Sequence, residues 1–115
     1  MRNPDEVELV RQAILSHTTG DCEWSDSAAR RVRSDPDLSG VTLEGITALL
    51  RGHVDRGGVI ERRSETRPDY SQECWFRVIV PVDRFRHGLF VEIILVDEDP
   101  EAPAVRIVNA HEQRR

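Results

Sequence analysis

The chain has 115 residues, 38% of them hydrophobic, and this length predicts one domain over residues 1–115 with a single core. Its 21 acidic residues outnumber its 16 basic residues, so the formal net charge of −5 provides no global attraction for nucleic acid. No apolar run approaches the ~20 residues of a membrane span, and the first residues lack an apolar signal-peptide core. We therefore expect a cytoplasmic protein with no membrane partner.

Three helices are predicted in the first half of the chain. Asn3 is placed to cap the first, Ser25 the second and Thr42 the third, because their side chains accept hydrogen bonds from unpaired helical N–H groups. The second helix must stop before Pro36, since the residue before proline disfavours helical geometry. Apolar stripes at helical spacing mark the first helix with Val7, Val10 and Ile14, and the third with Leu43, Ile46, Leu49 and Leu50.

Strand patterns dominate the second half of the chain, where apolar and polar residues alternate between turn-forming segments. The predicted strands cover residues 59–63, 74–80, 89–96 and 104–109, and a further short strand is expected at 21–24. Helices followed by consecutive strands are typical of an α+β fold. We expect two or three helices packed on one face of a four- to five-stranded antiparallel sheet.

Charged residues fall on one face of this predicted sheet. Because successive side chains on a strand point to opposite faces, Arg77, Glu92 and Arg106 share the face that the helices leave uncovered. Two guanidinium groups flanking a carboxylate suit a phosphate site in which Glu92 accepts a proton or orients a hydroxyl. The same pattern suits a cross-strand ion pair worth only ~0.2–1 kcal/mol. The residues leave both interpretations open.

Aromatic and basic residues near this row suggest contacts to RNA. Trp75 and Phe90 lie on the same predicted face, where unstacked bases would rest against their rings. Arg84, Arg86 and His87 surround an aromatic residue at a hairpin tip that could clamp an RNA backbone. The alternative for this tip is a solvated loop whose phenylalanine folds back onto the core.

Histidines provide one further candidate for chemistry. His111 follows the last predicted strand, at a sheet edge where a general acid or base would be expected. No two histidines have metal-ligand spacing with a cysteine or carboxylate partner. We therefore expect neither a metal site nor a cofactor.

Several short strings share their order with one known group of proteins. They span residues 25–31, 40–42, 58–61, 86–91 and 105–110. From Trp24 onward the chain resembles the BrnT-like and related uncharacterised domains of the RelE toxin superfamily. The resemblance implies a core over residues 21–115 of the same fold, with residues 1–19 forming an extra N-terminal helix.

Members of that superfamily with a known role are metal-independent ribonucleases, silenced by an antitoxin that covers the sheet. The resemblance implies that Glu92 or His111 promotes attack by the RNA 2′-hydroxyl, while Arg77 and Arg106 stabilise the phosphorane charge. The family histidine of the first core helix is Ser27 here, and the basic run after the last strand is reduced. The negative net charge and the reduced basic run favour an alternative, a non-catalytic protein-binding module of the same fold. The Arg–Glu–Arg row favours the ribonuclease, which is the function we expect. The sequence indicates no oligomeric state.

Overall fold

The structure, a computed structural model, describes residues 5–16, 18, 20–69 and 72–114. Helices and strands follow one another along the chain, with a short 3-10 turn at Pro36–Leu38 between the second and third helices. The elements are α1 (Glu6–Leu15), β1 (Cys22–Trp24), α2 (Asp26–Ser34), α3 (Leu43–Asp55), β2 (Glu61–Ser64), β3 (Cys74–Val82), β4 (Phe85–Asp97) and β5 (Ala104–Glu112).

Side-chain caps begin the three α-helices. Ser25 and Thr42 each accept a hydrogen bond from the backbone N–H three residues on, which confirms the predicted starts of α2 and α3. Asp5 plays this part for α1, whereas the predicted cap Asn3 lies outside the described residues. None of the helices in the described part of the chain is long and apolar enough to cross a membrane.

Helix α1 packs its apolar stripe against the core. Val10 and Ile14 are fully buried in the cluster that α3 and the sheet share. Two arginines tie the helices together: Arg11 donates to the Val54 carbonyl at 3.2 Å, and Arg51 donates to the Ile14 carbonyl at 2.9 Å. The N-terminal helix therefore belongs to the packed structure.

Five strands form one sheet in the order β1-β5-β4-β3-β2, which confirms the α+β class. Strands β2 to β5 are antiparallel to their neighbours, but β1 pairs with β5 in parallel. This edge pairing corrects the expectation of a wholly antiparallel sheet. It arises because no hairpin joins β1 to β5, so their relative direction is set by packing and by hydrogen bonds such as Ser25 N–H to the Ile107 carbonyl.

One face of the sheet lies against the helices and the other does not. Val78, Val91, Ile93 and Ile107 are fully buried on the helix side, as alternation predicted. The pairs Val80–Leu89 and Arg77–Glu92 stand opposite one another, which settles a register between β3 and β4 that the long hairpin connection left open. We call the side away from the helices the open face.

A bulge in β5 changes which residues reach the open face. Glu92 stands opposite Asn109, whereas the next residue, Ile93, stands opposite Ile107, so Val108 is an extra residue on β5. Beyond the bulge the alternation is inverted: Ala110 is 4% exposed in the core, and His111 lies on the open face opposite Phe90. Simple alternation would have directed His111 toward the helices.

Candidate functional site

Three cross-strand rows make up the open face. The register between neighbouring strands defines each row. The ring row contains Ile79, Phe90 and His111, and the central row contains Glu61, Arg77, Glu92 and Asn109. The outer row contains Arg63 opposite Trp75 and, farther across the sheet, Ile94, Arg106 and Glu23.

Arg106 shares this face but does not complete an Arg–Glu–Arg row. The register between β4 and β5 places Arg106 opposite Ile94, two residues beyond Glu92, and beside Glu23 on β1. Its exposed side chain lines a concavity of about 280 Å³ at the start of α2. Phe90 and Ile94 lie four residues apart on β4, about 13 Å, so Arg106 and His111 do not converge on one phosphate. The single row expected from alternation is thereby corrected.

Arg77 is held by a carboxylate on its other side. Its Nε donates to Glu61 Oε2 at 2.7 Å, and its terminal nitrogen also contacts that carboxylate. Glu61 is its cross-strand neighbour on β2, just as Glu92 is its neighbour on β4. The Arg77 side chain is 28% exposed, so this pair can be reached by solvent.

Glu92 is buried on this face, at 5% exposure. A buried carboxylate requires a charged or hydrogen-bonding partner, and Arg67 donates to Glu92 Oε2 at 2.8 Å. The position and burial of Glu92 therefore suit a structural ion pair better than a base that collects protons from substrate.

Arg67 is the residue of this face that the sequence patterns missed. It lies in the loop between β2 and β3, whose neck is closed by a 2.9 Å bond from Glu65 N–H to the Glu73 carbonyl. Besides Glu92, it contacts both oxygens of Glu65 at 2.7 and 2.8 Å. These hydrogen bonds lower the pKa of Glu65 to about 2 and raise the pKa of Arg67. Glu92 is the residue that could have pointed to Arg67, because a carboxylate buried in a strand requires a cation as partner.

Rings form a continuous run across the open face. Trp75 and Phe90 have centroids 6.1 Å apart with planes tilted at 59°, and Phe90 stacks on His111 at 4.7 Å and 17°. The Arg67 guanidinium lies over the Trp75 ring, 5.9 Å from its centroid. Arg67 therefore occupies one approach to Trp75, whereas the Phe90–His111 stack ends in the exposed His111.

The hydrogen bond of His111 determines which ring nitrogen is basic. Nδ1 lies 2.9 Å from the Glu112 carbonyl oxygen, which can only accept. The hydrogen therefore sits on Nδ1, and in the neutral imidazole Nε2 keeps the lone pair that accepts a proton. His111 is the predicted catalytic residue whose geometry suits a general base.

The predicted basic hairpin tip divides between two sides of the molecule. Arg84 donates to the carbonyls of Ser39 at 3.0 Å and Asp37 at 3.4 Å on the helix side, away from the open face. Phe85 is 8% exposed, so it folds back onto the core as the alternative interpretation had it. Arg86 and His87 are exposed and line a concavity of about 270 Å³ that Ile79 also borders.

Comparisons with known proteins leave the site to be interpreted from its own chemistry. No protein-family model, curated protein or solved structure matches the chain. Within the described residues, no three side chains of the histidine, cysteine, aspartate or glutamate type are grouped to hold a metal ion.

Proposed function

We propose that the chain is a toxin-like endoribonuclease that binds single-stranded RNA on its open face and cleaves it without a metal cofactor. The observation that carries the proposal is the Phe90–His111 stack, in which the Nδ1 bond leaves Nε2 as the basic nitrogen. Stacked rings bind bases of any sequence, and a histidine beside them can take a proton from the sugar. A cytoplasmic location, where RNA is present, is part of the proposal.

Cleavage would follow from one displacement at phosphorus and the proton transfers that accompany it. His111 Nε2 takes the proton of the RNA 2′-hydroxyl while its oxygen attacks the adjacent phosphorus. The P–O5′ bond then breaks and leaves a 2′,3′-cyclic phosphate. The 5′-oxygen takes a proton from water, and the hydroxide so formed takes the proton from His111 Nε2, which restores the neutral imidazole. Arg77 lies one row away and two strands across from His111, on β3 with β4 between them, so in this proposal it binds a neighbouring phosphate of the RNA instead of the one that reacts.

The other predicted site residues take supporting parts in this proposal. Glu92 holds Arg67 in place, in accordance with its burial, and the base is His111. Arg86, His87 and Arg106 bind the RNA backbone at the two ends of the face, since all three are exposed there. Arg84 is left out of the RNA contacts because its guanidinium is bonded on the helix side.

The test is cleavage of total RNA by the purified protein with a chelator present. His111→Gln should lower the cleavage rate by ~10²–10⁴, the usual worth of a general base. His53→Gln on α3 is the matched control, because it changes the same residue type away from the open face. Equal rates for the two variants would remove His111 from the chemistry.

A second candidate is a non-catalytic module that binds a protein, such as an antitoxin, over the open face. It is favoured by the net charge of −5 and by the glutamates that already hold Arg67 and Arg77. Wild-type protein that neither slows the growth of several hosts nor cuts RNA would leave this candidate standing. Open-face substitutions such as Phe90→Ala would then weaken a protein complex.

A further inference from the structure

The two arginines at the centre of the open face are held in different ways. Arg67 contacts two carboxylates whose side chains are only 2% and 7% exposed, those of Glu65 and Glu92. Arg77 contacts Glu61, whose side chain is 40% exposed. Water can therefore reach and replace the partner of Arg77 much more easily than the partners of Arg67.

An RNA phosphate and a glutamate carboxylate compete for the same donors. Both present two oxygens to the forked N–H groups of a guanidinium. A phosphate that binds Arg77 must displace Glu61 or repel it at close range, because the two residues stand directly opposite on β2 and β3. The cost of this exchange is modest, since a solvent-exposed ion pair contributes little stability.

We propose that Glu61 is an affinity-determining residue, which restrains RNA binding by occupying Arg77 until a phosphate displaces its carboxylate. The inference rests on the proposed function and adds to it the step by which the face accepts its ligand. Arg67 does not take part in this exchange, because two nearly buried carboxylates fix it above Trp75. The exchange favours polyanions held at several points, such as RNA, over single small anions.

The test compares single-stranded RNA binding by Glu61→Gln and Glu101→Gln at several salt concentrations. Both variants lose one negative charge, but Glu101 is exposed in the turn between β4 and β5, outside the open face. Glu61→Gln should bind about two- to fivefold more tightly than Glu101→Gln, the range that an exposed ion pair allows. Its affinity should fall more steeply with salt, by ~0.7 in the log–log slope, because in Glu101→Gln the displaced Glu61 carboxylate takes up a cation that offsets one released from the RNA.

An Arg77→Gln background shows whether the gain passes through Arg77. There, Glu61→Gln should bind RNA no better than Glu101→Gln. With Arg77 intact, equal RNA binding by Glu61→Gln and Glu101→Gln would overturn the inference. This holds even if the cause is that Arg77, once released from Glu61, pairs with Glu92 instead. A gain that persists without Arg77 would overturn it as well.

Inorganic pyrophosphate separates this inference from the proposed function. If wild-type protein and all variants fail to bind RNA, the RNA proposal falls. Tighter pyrophosphate binding by Glu61→Gln than by Glu101→Gln would still support competition for Arg77. Equal pyrophosphate binding by these two variants would refute that competition.

Discussion

Replacing Arg67 by alanine should destabilise the fold, because it removes the cation 2.8 Å from the buried carboxylate of Glu92. Breaking a fully buried ion pair from one side costs ~3–5 kcal/mol. The Arg67 side chain is 41% exposed, so water can reach the site and we expect a smaller loss. We set it at about 2 kcal/mol, which for a chain of this length lowers Tm by about 8 °C.

Glu92→Gln provides the second side of a double-mutant cycle. Glutamine keeps the shape of the side chain but carries no charge that needs Arg67, so the double variant should be more stable than Arg67→Ala alone. Non-additivity of this kind is expected for residues in direct contact. Arg63→Ala, an exposed arginine on the same face, is the control and should change stability by less than ~0.5 kcal/mol.

Thermal unfolding at neutral pH, followed by circular dichroism, measures the stability of the wild type and the four variants. A loss within ~0.5 kcal/mol for Arg67→Ala, or strict additivity of the two changes, would refute the assignment of Glu92 to a structural ion pair. The same variants test the chemistry: Glu92→Gln should keep cutting RNA if His111 is the base. If Glu92→Gln folds but no longer cuts RNA, Glu92 and not His111 is the general base.

The remaining predictions concern the core, a turn and the response to acid. Ile14→Ala should lower the free energy of unfolding by ~2–5 kcal/mol, because Ile14 is fully buried where α1 meets the core. Urea unfolding measures this loss, and a loss smaller than that of Ile14→Val would contradict the prediction. Gly88→Ala should cost more than ~1 kcal/mol, since φ is 89° and the added Cβ would lie 2.9 Å from the Val80 carbonyl oxygen. Arg67 lowers the pKa of Glu65 from 4.5 to about 2, so their contact stabilises the fold above pH 4.5 and is lost as pH falls toward 2. The Tm difference between wild type and Glu65→Gln should therefore shrink over this window, and a difference that stays constant down to pH 2 would contradict it.

Local chemistry in the sequence determined the elements and the two faces of the sheet. Ser25 and Thr42 begin their helices because a hydroxyl satisfies a nearby N–H, whatever the rest of the chain does. Alternation along β3 and β4 separated Val78 and Val91 from Arg77 and Glu92 for an equally local reason. These features depend on neighbours within a few residues, so they could be predicted.

Only the tertiary structure decided the arrangement of the site. The Val108 bulge brings His111 to the open face, and the register between β4 and β5 places Arg106 opposite Ile94 instead of Glu92. The adjacent apolar residues Ile107 and Val108 are compatible with such a bulge, but they fit a strand buried on both faces equally well. Arg67 donates to Glu92 from a loop 25 residues away along the chain. Arg77 donates to Glu61, although Glu92 is also its cross-strand neighbour. Such choices depend on which distant groups packing brings within hydrogen-bond distance. A buried carboxylate pairs with a cation that lies within hydrogen-bond distance, and the spacing of residues along the sequence does not give that distance.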